Sequence, residues 1–448
     1  MNISLLMRLL WTLRRLRQRD HWTRSQLELH QVESLRRLRE HAYARSPFYQ
    51  RFHRGLAGRP LSELPVLTKA TVMEHFDDLV TDRALRLSAL RAHAVSASEN
   101  DLFLGRYRVC VTSGSTGRPG LFVFDRREWT TVLASFARAQ EWAGLKVTLA
   151  RRVRMASVAS AAPRHMSAQV AASLRSWWLP ALRLEADAPV EATVERLNTW
   201  QPETLVTYAS SARILADEQL SGRLRIAPRM VFTSSEVLTE ETRHRVEAAW
   251  GCPPFNEYAA SECGSLAAEC TRRRGLHACD DLAIFEVVDE RNQPVPPGTY
   301  GERLLVTVLF NRTQPLIRYE LSDSLCLATE PCPCGRPFTL VGGIQGRAAD
   351  VLHLPAAGGG EVAVHPLTFH RVLDAVPASG WQVVQENGGL TVLLSGVASG
   401  LVDELLSEKL TRALAARGVR LPRIAVQRVA AIPRGAAGKA SLIRTKHR

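Results

Sequence analysis

Val111-Thr-Ser-Gly-Ser-Thr-Gly-Arg-Pro-Gly120 carries the sharpest chemical signal in this 448-residue sequence. Glycine lets the backbone adopt positive φ and approach a phosphate closely. Hydroxyls and backbone N–H groups then donate to the anionic oxygens. The string follows Arg108–Thr112, which reads as a short strand. It is not a Walker loop, because no Gly-Lys-Ser/Thr follows. A ligand-free Ser/Gly turn has the same composition and is the plain alternative. A second set, Cys270, His277, Cys332 and Cys334, offers the thiolates and imidazole that tetrahedral zinc prefers. Its spacing is not that of a standard finger. Buried, unliganded cysteines are the competing reading, and Cys279 is a substitute ligand.

The elements that must position these residues are legible from periodicity and turn chemistry. Residues 1 to about 55 read as helix, with Leu6, Leu9, Leu10, Leu13 and Leu16 at helical spacing. Val32, Leu35 and Leu38 continue the pattern, and Pro47 is expected to end it. Leu64-Pro-Val-Leu-Thr-Lys69 reads as a loop ending at a helix N-cap, Thr68 or Thr71. From about 105 to 310, strand-like segments (Arg154–Val158, Thr204–Tyr208, Met230–Thr233) alternate with helical ones (128–142, 190–200, 210–220, 239–250). That alternation predicts an α/β fold. Residues 282–310 look antiparallel around a proline-rich turn. Beyond Gly346, Trp381–Gln385 and Leu390–Leu394 read as a strand pair, 401–417 as an amphipathic helix and Arg423–Val429 as a last strand. The expected organisation is a large multi-layer α/β domain with a β-rich subregion over 1–345. A small mobile α+β domain follows over 346–448.

Composition narrows the class. Hydrophobic residues make up 46% and charged residues 23%, as in ordinary globular proteins. The formal net charge is +14, and only five of the 58 basic residues are lysines: Lys69, Lys146, Lys409, Lys439 and Lys446. The arginines are spread along the chain without an arginine–aromatic ladder, so no nucleic-acid partner is expected. Eight cysteines in this length do not suggest a secreted disulfide scaffold. No apolar run approaches the roughly 20 residues that span a bilayer. The N-terminus makes a poor signal peptide, so a cytoplasmic location is the default. Ile3, Leu6, Leu9, Leu10, Leu13 and Leu16 share one broad face beside Arg8, Arg14, Arg15 and Arg17. Such a helix either packs on its own domain or rests weakly on an anionic membrane surface.

With the phosphate-loop string in hand, a family resemblance follows. Thr112, Ser113, Gly114, Ser115, Thr116 and Gly117, with Arg118-Pro119, resemble the nucleotide loop of the adenylate-forming superfamily. That superfamily comprises acyl-CoA synthetases, adenylation domains and luciferases. The match continues in order. Thr233-Ser-Ser-Glu-Val-Leu238 resembles the segment that cradles adenine, through Ser235 and Glu236. Tyr258-Ala-Ala-Ser-Glu262 resembles a Tyr-Gly-x-Ser/Thr-Glu motif, bringing in Tyr258, Ser261 and Glu262. Ile317-Arg-Tyr-Glu-Leu-Ser-Asp323 resembles the ribose-binding segment, Gly346-Arg347 the start of the hinge motif, and Pro433-Arg-Gly-Ala-Ala-Gly-Lys439 the loop of the catalytic lysine. Within the superfamily the chain is most similar to the phenylacetate–CoA ligase group. Arg37–Tyr49, Leu64–Lys69 and Cys332-Pro-Cys-Gly-Arg336 carry that likeness.

The resemblance implies ATP- and Mg2+-dependent activation of a small carboxylic acid to an acyl-AMP, followed by transfer to CoA or to the thiol of a carrier protein. Glu262 would bind magnesium or orient the nucleotide, Asp323 the ribose hydroxyls, and Lys439 the α-phosphate and carboxylate. Some relatives carry a zinc site at similar Cys/His positions. The chain departs from the pattern twice: Gly120 stands where relatives commonly carry lysine, and Ala349 occupies the usual hinge pivot. AMP transfer to a small coenzyme hydroxyl, or a non-catalytic nucleotide-binding relative, are the alternative functions. Trp177-Trp178 either lines an acid pocket or packs.

Overall fold

A computed structural model describes residues 3–112, 119–147, 152–160, 162–347, 350–364, 366–373, 376, 378, 380–386, 389–397, 403–420, 424–433 and 442–445. The chain divides into two compact units. One comprises Met1–Val153, Ala161–Ala181 and Phe255–Ile344; the other comprises Arg154–Ser160, Leu182–Pro254 and Gln345–Arg448. The fold is mixed α/β, as the alternation of elements predicts.

In the first unit, helix Ile3–Arg19 buries Leu9, Leu13 and Leu16. Leu10, expected on the same face, is instead exposed together with Ile3, Met7 and Trp11. The apolar residues are too many for one stripe, so the helix carries two. Helix Arg24–Arg45 starts from a capping box in which Thr23 and Gln26 satisfy each other's backbone N–H. Pro47 does not simply end this segment. It is the first residue of the next helix, Pro47–Phe52, with Ser46 as N-cap, because proline's fixed φ suits a first turn. Arg138 and Asp281 are both buried and form a bidentate pair at 2.9 and 2.8 Å. Trp142 Nε1 donates to Asp20 Oδ2 at 2.9 Å, fastening the end of the first helix to helix Arg126–Trp142.

The strands of this unit form three groups. Arg108–Val111 and Leu121–Phe124 make an antiparallel pair in which Val111 faces Leu121. Ala283–Val288, Arg303–Val308 and Tyr319–Leu321 form a three-stranded antiparallel sheet. Asp323–Leu327, Leu340–Arg347, Leu276–Ala278, Gly264–Glu269 and Phe255–Ala260 lie side by side in that order. A continuous core runs from Leu9 and Leu38 through Phe122 and Leu266 to Tyr319.

The second unit contains parallel strands Met155–Ala159, Thr204–Tyr208 and Met230–Ser234. Helices Val190–Trp200 and Ala209–Leu220 lie between them in sequence, and Glu240–Trp250 follows the last. This is the βαβ arrangement expected when strand and helix patterns alternate. Ala181–Glu185, which sequence periodicity missed, flanks Met155–Ala159. Further along the chain, Gly380–Glu386 and Gly389–Ser395 form an antiparallel hairpin. Ile424–Val429 and Ile443–Thr445 join it as parallel neighbours on either side. Arg423–Val429 is therefore not the last strand. A three-residue strand is too short to show periodicity. Among the described residues, no helix is long and apolar enough to cross a membrane.

Candidate functional site

The loop string begins and ends in an ordered neck. Thr112 N donates to Gly120 O at 2.9 Å, and Gly120 N donates to Thr112 Oγ1 at 2.7 Å. Strand pairing up to Val111–Leu121 thus holds the two ends of the string together. Ser113, Gly114, Ser115, Thr116 and Gly117 lie outside the described residues, as do Ala349 and Lys439.

In the same unit the structure gathers several predicted residues. Tyr258 lies on strand Phe255–Ala260, and its hydroxyl donates to Asp323 Oδ2 at 2.8 Å. Burial and the neighbouring carboxylate push the Tyr258 hydroxyl well above its ordinary range, so it stays a donor. Glu262 is 7% exposed. Its Oε1 accepts from the Tyr319 hydroxyl at 3.3 Å. Tyr319 packs edge-on against Phe122, with ring centroids 6.1 Å apart. Tyr319 was not singled out from sequence. Its neighbours Arg318 and Asp323 belong to one motif, which was the available signal. Ser261 is half-buried beside Glu262.

Arg318 ties this motif to the loop that precedes helix Lys69–Glu74. It adopts φ of 54°, donates from Nη1 to Leu64 O at 2.6 Å, and pairs with Glu286 at 3.1 Å. Leu67 N donates to Arg318 O at 3.0 Å and Glu320 N donates to Leu67 O at 2.9 Å. The loop Leu64–Thr68 is therefore laced to the Ile317–Asp323 motif. Thr68 caps the helix that follows, accepting from Thr71 N at 3.2 Å.

In the second unit, Ser235 sits just after strand Met230–Ser234 with φ of 69°, a region costly for a residue with a Cβ. Glu236 Oε2 accepts from Ser210 N at 2.8 Å. Its Oε1 is buried with no hydrogen-bond partner among the described residues. Gly346 has φ of 108°, and Arg347 ends strand Leu340–Arg347.

The Cys/His set does converge. The donor atoms of Cys270, His277, Cys332 and Cys334 all lie within 4.8 Å of one another. Cys270 Sγ is 3.7 Å from Cys332 Sγ, and His277 Nε2 is 3.4 Å from Cys270 Sγ and 3.3 Å from Cys334 Sγ. Metal–ligand bonds of about 2.0–2.3 Å in a tetrahedron give separations of this size. Cys270 follows strand Gly264–Glu269, His277 lies on Leu276–Ala278, and both other cysteines precede Leu340–Arg347. The turn leading to His277 needs Gly275: its φ is 139°, and a Cβ there would meet Val341 O at 2.6 Å. Burial, with Arg336 nearby, pushes His277 down to about 4, which leaves the imidazole neutral. For Cys334, hydrogen bonds from Arg336 outweigh burial and pull the thiol below its ordinary value. Burial pushes the Cys332 thiol up to about 11, so it is the neutral imidazole and the tetrahedral spacing of three sulfurs and one nitrogen that fit zinc, whose binding would deprotonate the thiols. Cys279 is not in the cluster. Trp177 is 69% exposed with Arg152 stacked 4.1 Å above its ring.

No family model matches the chain. It is 27% identical to a phenylacetate-coenzyme A ligase of Thermus thermophilus over 375 residues, covering 79% of this chain and 76% of that protein. It is 26% identical to a phenylacetate-coenzyme A ligase of Pseudomonas putida, covering 73% and 72%. Among solved structures, a 2-hydroxyisobutyryl-CoA ligase in the postadenylation state, in complex with 2-HIB-AMP, superposes with a TM-score of 0.72. That match has 20% identity and covers 95% of this chain and 90% of that one. At that identity the likeness is one of fold.

Proposed function

We propose that this chain, which is similar to phenylacetate-coenzyme A ligases, is an adenylate-forming enzyme of that group, which activates a small carboxylic acid with ATP and passes the acyl group to CoA or a carrier thiol. The observation that carries this reading is a pair of hydrogen bonds, Tyr258 to Asp323 and Tyr319 to Glu262, that join two motifs separated in sequence.

A carboxylate oxygen attacks the α-phosphorus of ATP, the bond to the bridging oxygen breaks, and pyrophosphate leaves with its electron pair. The product is a mixed anhydride with AMP as leaving group. Little covalent work falls to the protein; alignment and neutralisation of charge dominate the barrier. In this proposal Thr112, Ser113, Gly114, Ser115, Thr116 and Gly117 hold the β- and γ-phosphates. Asp323, oriented by Tyr258, accepts from the ribose hydroxyls. Glu236 offers its unpartnered oxygen to the adenine amine, beside Ser235. Ser261 and Arg347 complete the nucleotide contacts. Glu262 would hold magnesium, whose charge would offset that of the phosphates. Residues 346–448 act as the mobile domain that brings Lys439 to the α-phosphate and carboxylate. Cys270, His277, Cys332 and Cys334 hold a structural zinc. The exposed face of the first helix makes weak contact with an anionic membrane surface.

The test is pyrophosphate release from ATP across a library of carboxylic acids. Acid-dependent release is expected, and Lys439→Ala should cut it by orders of magnitude with the fold intact. Release that does not depend on any acid would overturn the reading.

A further inference from the structure

Arg213 holds the backbone of a segment 163 to 165 residues further along the chain. Its Nη2 donates to Ala378 O at 2.7 Å and to Val376 O at 3.4 Å. The residue is 5% exposed. Both sides of the contact belong to the same compact unit. Their apolar side chains, however, do not merge. Leu352, Phe369 and Leu410 belong to one buried cluster, and Ala156, Leu205 and Ala212 to another; among the described residues the two clusters share no member. Ala212 packs into the second cluster, while Arg213 beside it reaches residues of the C-terminal segment.

The accepting carbonyls lie just past helix Pro366–Leu373. They belong to a turn in which Val376 N donates to Leu373 O at 3.2 Å and Ala378 N donates to Val376 O at 2.8 Å. The start of the same helix is also held close. A Cβ built on Gly346 would lie 3.7 Å from both Pro366 Cγ and Val237 Cγ2. Val237 follows Glu236, whose Oε2 accepts from Ser210 N. Ser210 and Arg213 are three residues apart on helix Ala209–Leu220, a spacing that makes them neighbours on its surface. One helix thus touches Glu236 with its first turn and the C-terminal segment with its second.

We propose that Arg213 is a positioning residue: it clamps the segment 346–448 in the arrangement used for acyl-AMP formation and lets go of it for transfer of the acyl group. This rests on the reading that the chain is an adenylate-forming enzyme with a mobile C-terminal domain. The docked arrangement is assigned to the first step because it sets Gly346 and Pro366 beside Val237, next to the adenine contacts proposed for Ser235 and Glu236. The chemistry of the contact suits release. Motion between two parts is the default unless their junction is large and hydrophobic. Backbone carbonyls are acceptors that water can serve once the guanidinium withdraws, so opening exchanges hydrogen bonds and leaves each apolar cluster whole. Arginine suits the clamp because its planar group presents several donors in a fixed geometry.

The experiment reads the separation of the two parts in the full-length protein by single-molecule energy transfer. Fluorophores go on Leu220 and Leu405, which are 55% and 56% exposed, through non-natural azido residues that leave the eight cysteines untouched. A control pair on exposed Glu361 and Leu405 lies wholly within the C-terminal segment. Arg213→Met keeps most of the stem and removes the donors. It should raise the separated population roughly 10- to 100-fold, the range for losing hydrogen bonds from a charged group. Arg213→Lys, with a point charge in place of the fork, should fall between the two. The control pair should not change. Acid-dependent pyrophosphate release should fall with the docked population, while the dissociation constant of Mg·ATP holds. If the distance between 220 and 405 is unchanged in both variants, or the control pair spreads along with it, Arg213 only supports the fold and the proposal is wrong. It is equally wrong if the parts separate and pyrophosphate release keeps its wild-type rate. If the wild type releases no pyrophosphate with any acid, it is the adenylation reading that has failed.

Discussion

The Tyr258 hydroxyl donates a 2.8 Å hydrogen bond to Asp323 Oδ2, joining two motifs 65 residues apart in sequence. The bond constrains the carboxylate's rotation. Removing the hydroxyl leaves Asp323 in place with one fewer constraint. Tyr258→Phe is therefore expected to weaken AMP and ATP binding equally, by about 5- to 30-fold for the loss of one hydrogen bond to a charged group. Titration calorimetry with AMP reads this directly. An unchanged AMP affinity would remove Asp323 from the nucleotide site.

The proposed zinc site carries both a stoichiometry and a stability prediction. Protein purified without added metal should contain one zinc per chain, since structural zinc binds with apparent free energies of about 10 kcal/mol or more. Cys334→Ser should lower that content and the melting temperature together. Metal content below roughly 0.2 equivalents in the wild type would contradict so tight a site.

How much of this was legible beforehand depended on the range of the interaction involved. Thr204–Tyr208 and Val190–Trp200 match their expected bounds, because a strand flanked by helices writes its period into a local window. Cys270, His277, Cys332 and Cys334 were nameable because their chemistry is rare, although their convergence is a product of strand order. Tyr319 was not assigned a place in the site. It owes that place to long-range pairing with Leu67, which leaves no periodic trace. The double face of the first helix was misread because heptad-like spacing cannot tell one wide stripe from two narrow ones.

Glu257 gives a pH prediction. Burial pushes its carboxyl up to about 7, and Oε1 has no hydrogen-bond partner among the described residues. Its folded pKa lies above the unfolded value near 4.5. Below about pH 4.5 both states are protonated and there is no penalty. As pH rises toward 7, the unfolded chain ionises first and folding loses stability, by about 3 kcal/mol at the limit. Glu257→Gln should abolish this component. The difference in melting temperature between variant and wild type should therefore be small near pH 4.5 and grow in favour of the variant up to pH 7–8. A pH-independent difference would mean that Glu257 does not titrate as its burial implies. Taking the difference cancels the opposing contribution of His53, which burial pushes down to about 4.

The two faces of helix Ile3–Arg19 can be separated by mutation. Leu9, Leu13 and Leu16 are 7%, 6% and 2% exposed, and burying each leucine stabilises by about 1.5–3 kcal/mol. Deleting residues 1–16 strips that face from the unit and should lower the melting temperature by several degrees. Ile3, Met7, Leu10 and Trp11 recur at the spacing of one helical face and are 47–81% exposed. Arg15 stacks 4.6 Å above the Trp11 ring, and Arg14 stands exposed beside it. An apolar stripe edged with arginines has the composition of a helix that rests on anionic lipid. Met7→Asp with Trp11→Asp should leave the melting temperature unchanged, since neither side chain packs inside. The pair should abolish sedimentation with phosphatidylserine-containing vesicles at low salt, where the attraction is least screened. If the wild type ignores such vesicles under those conditions, the stripe does not serve a membrane.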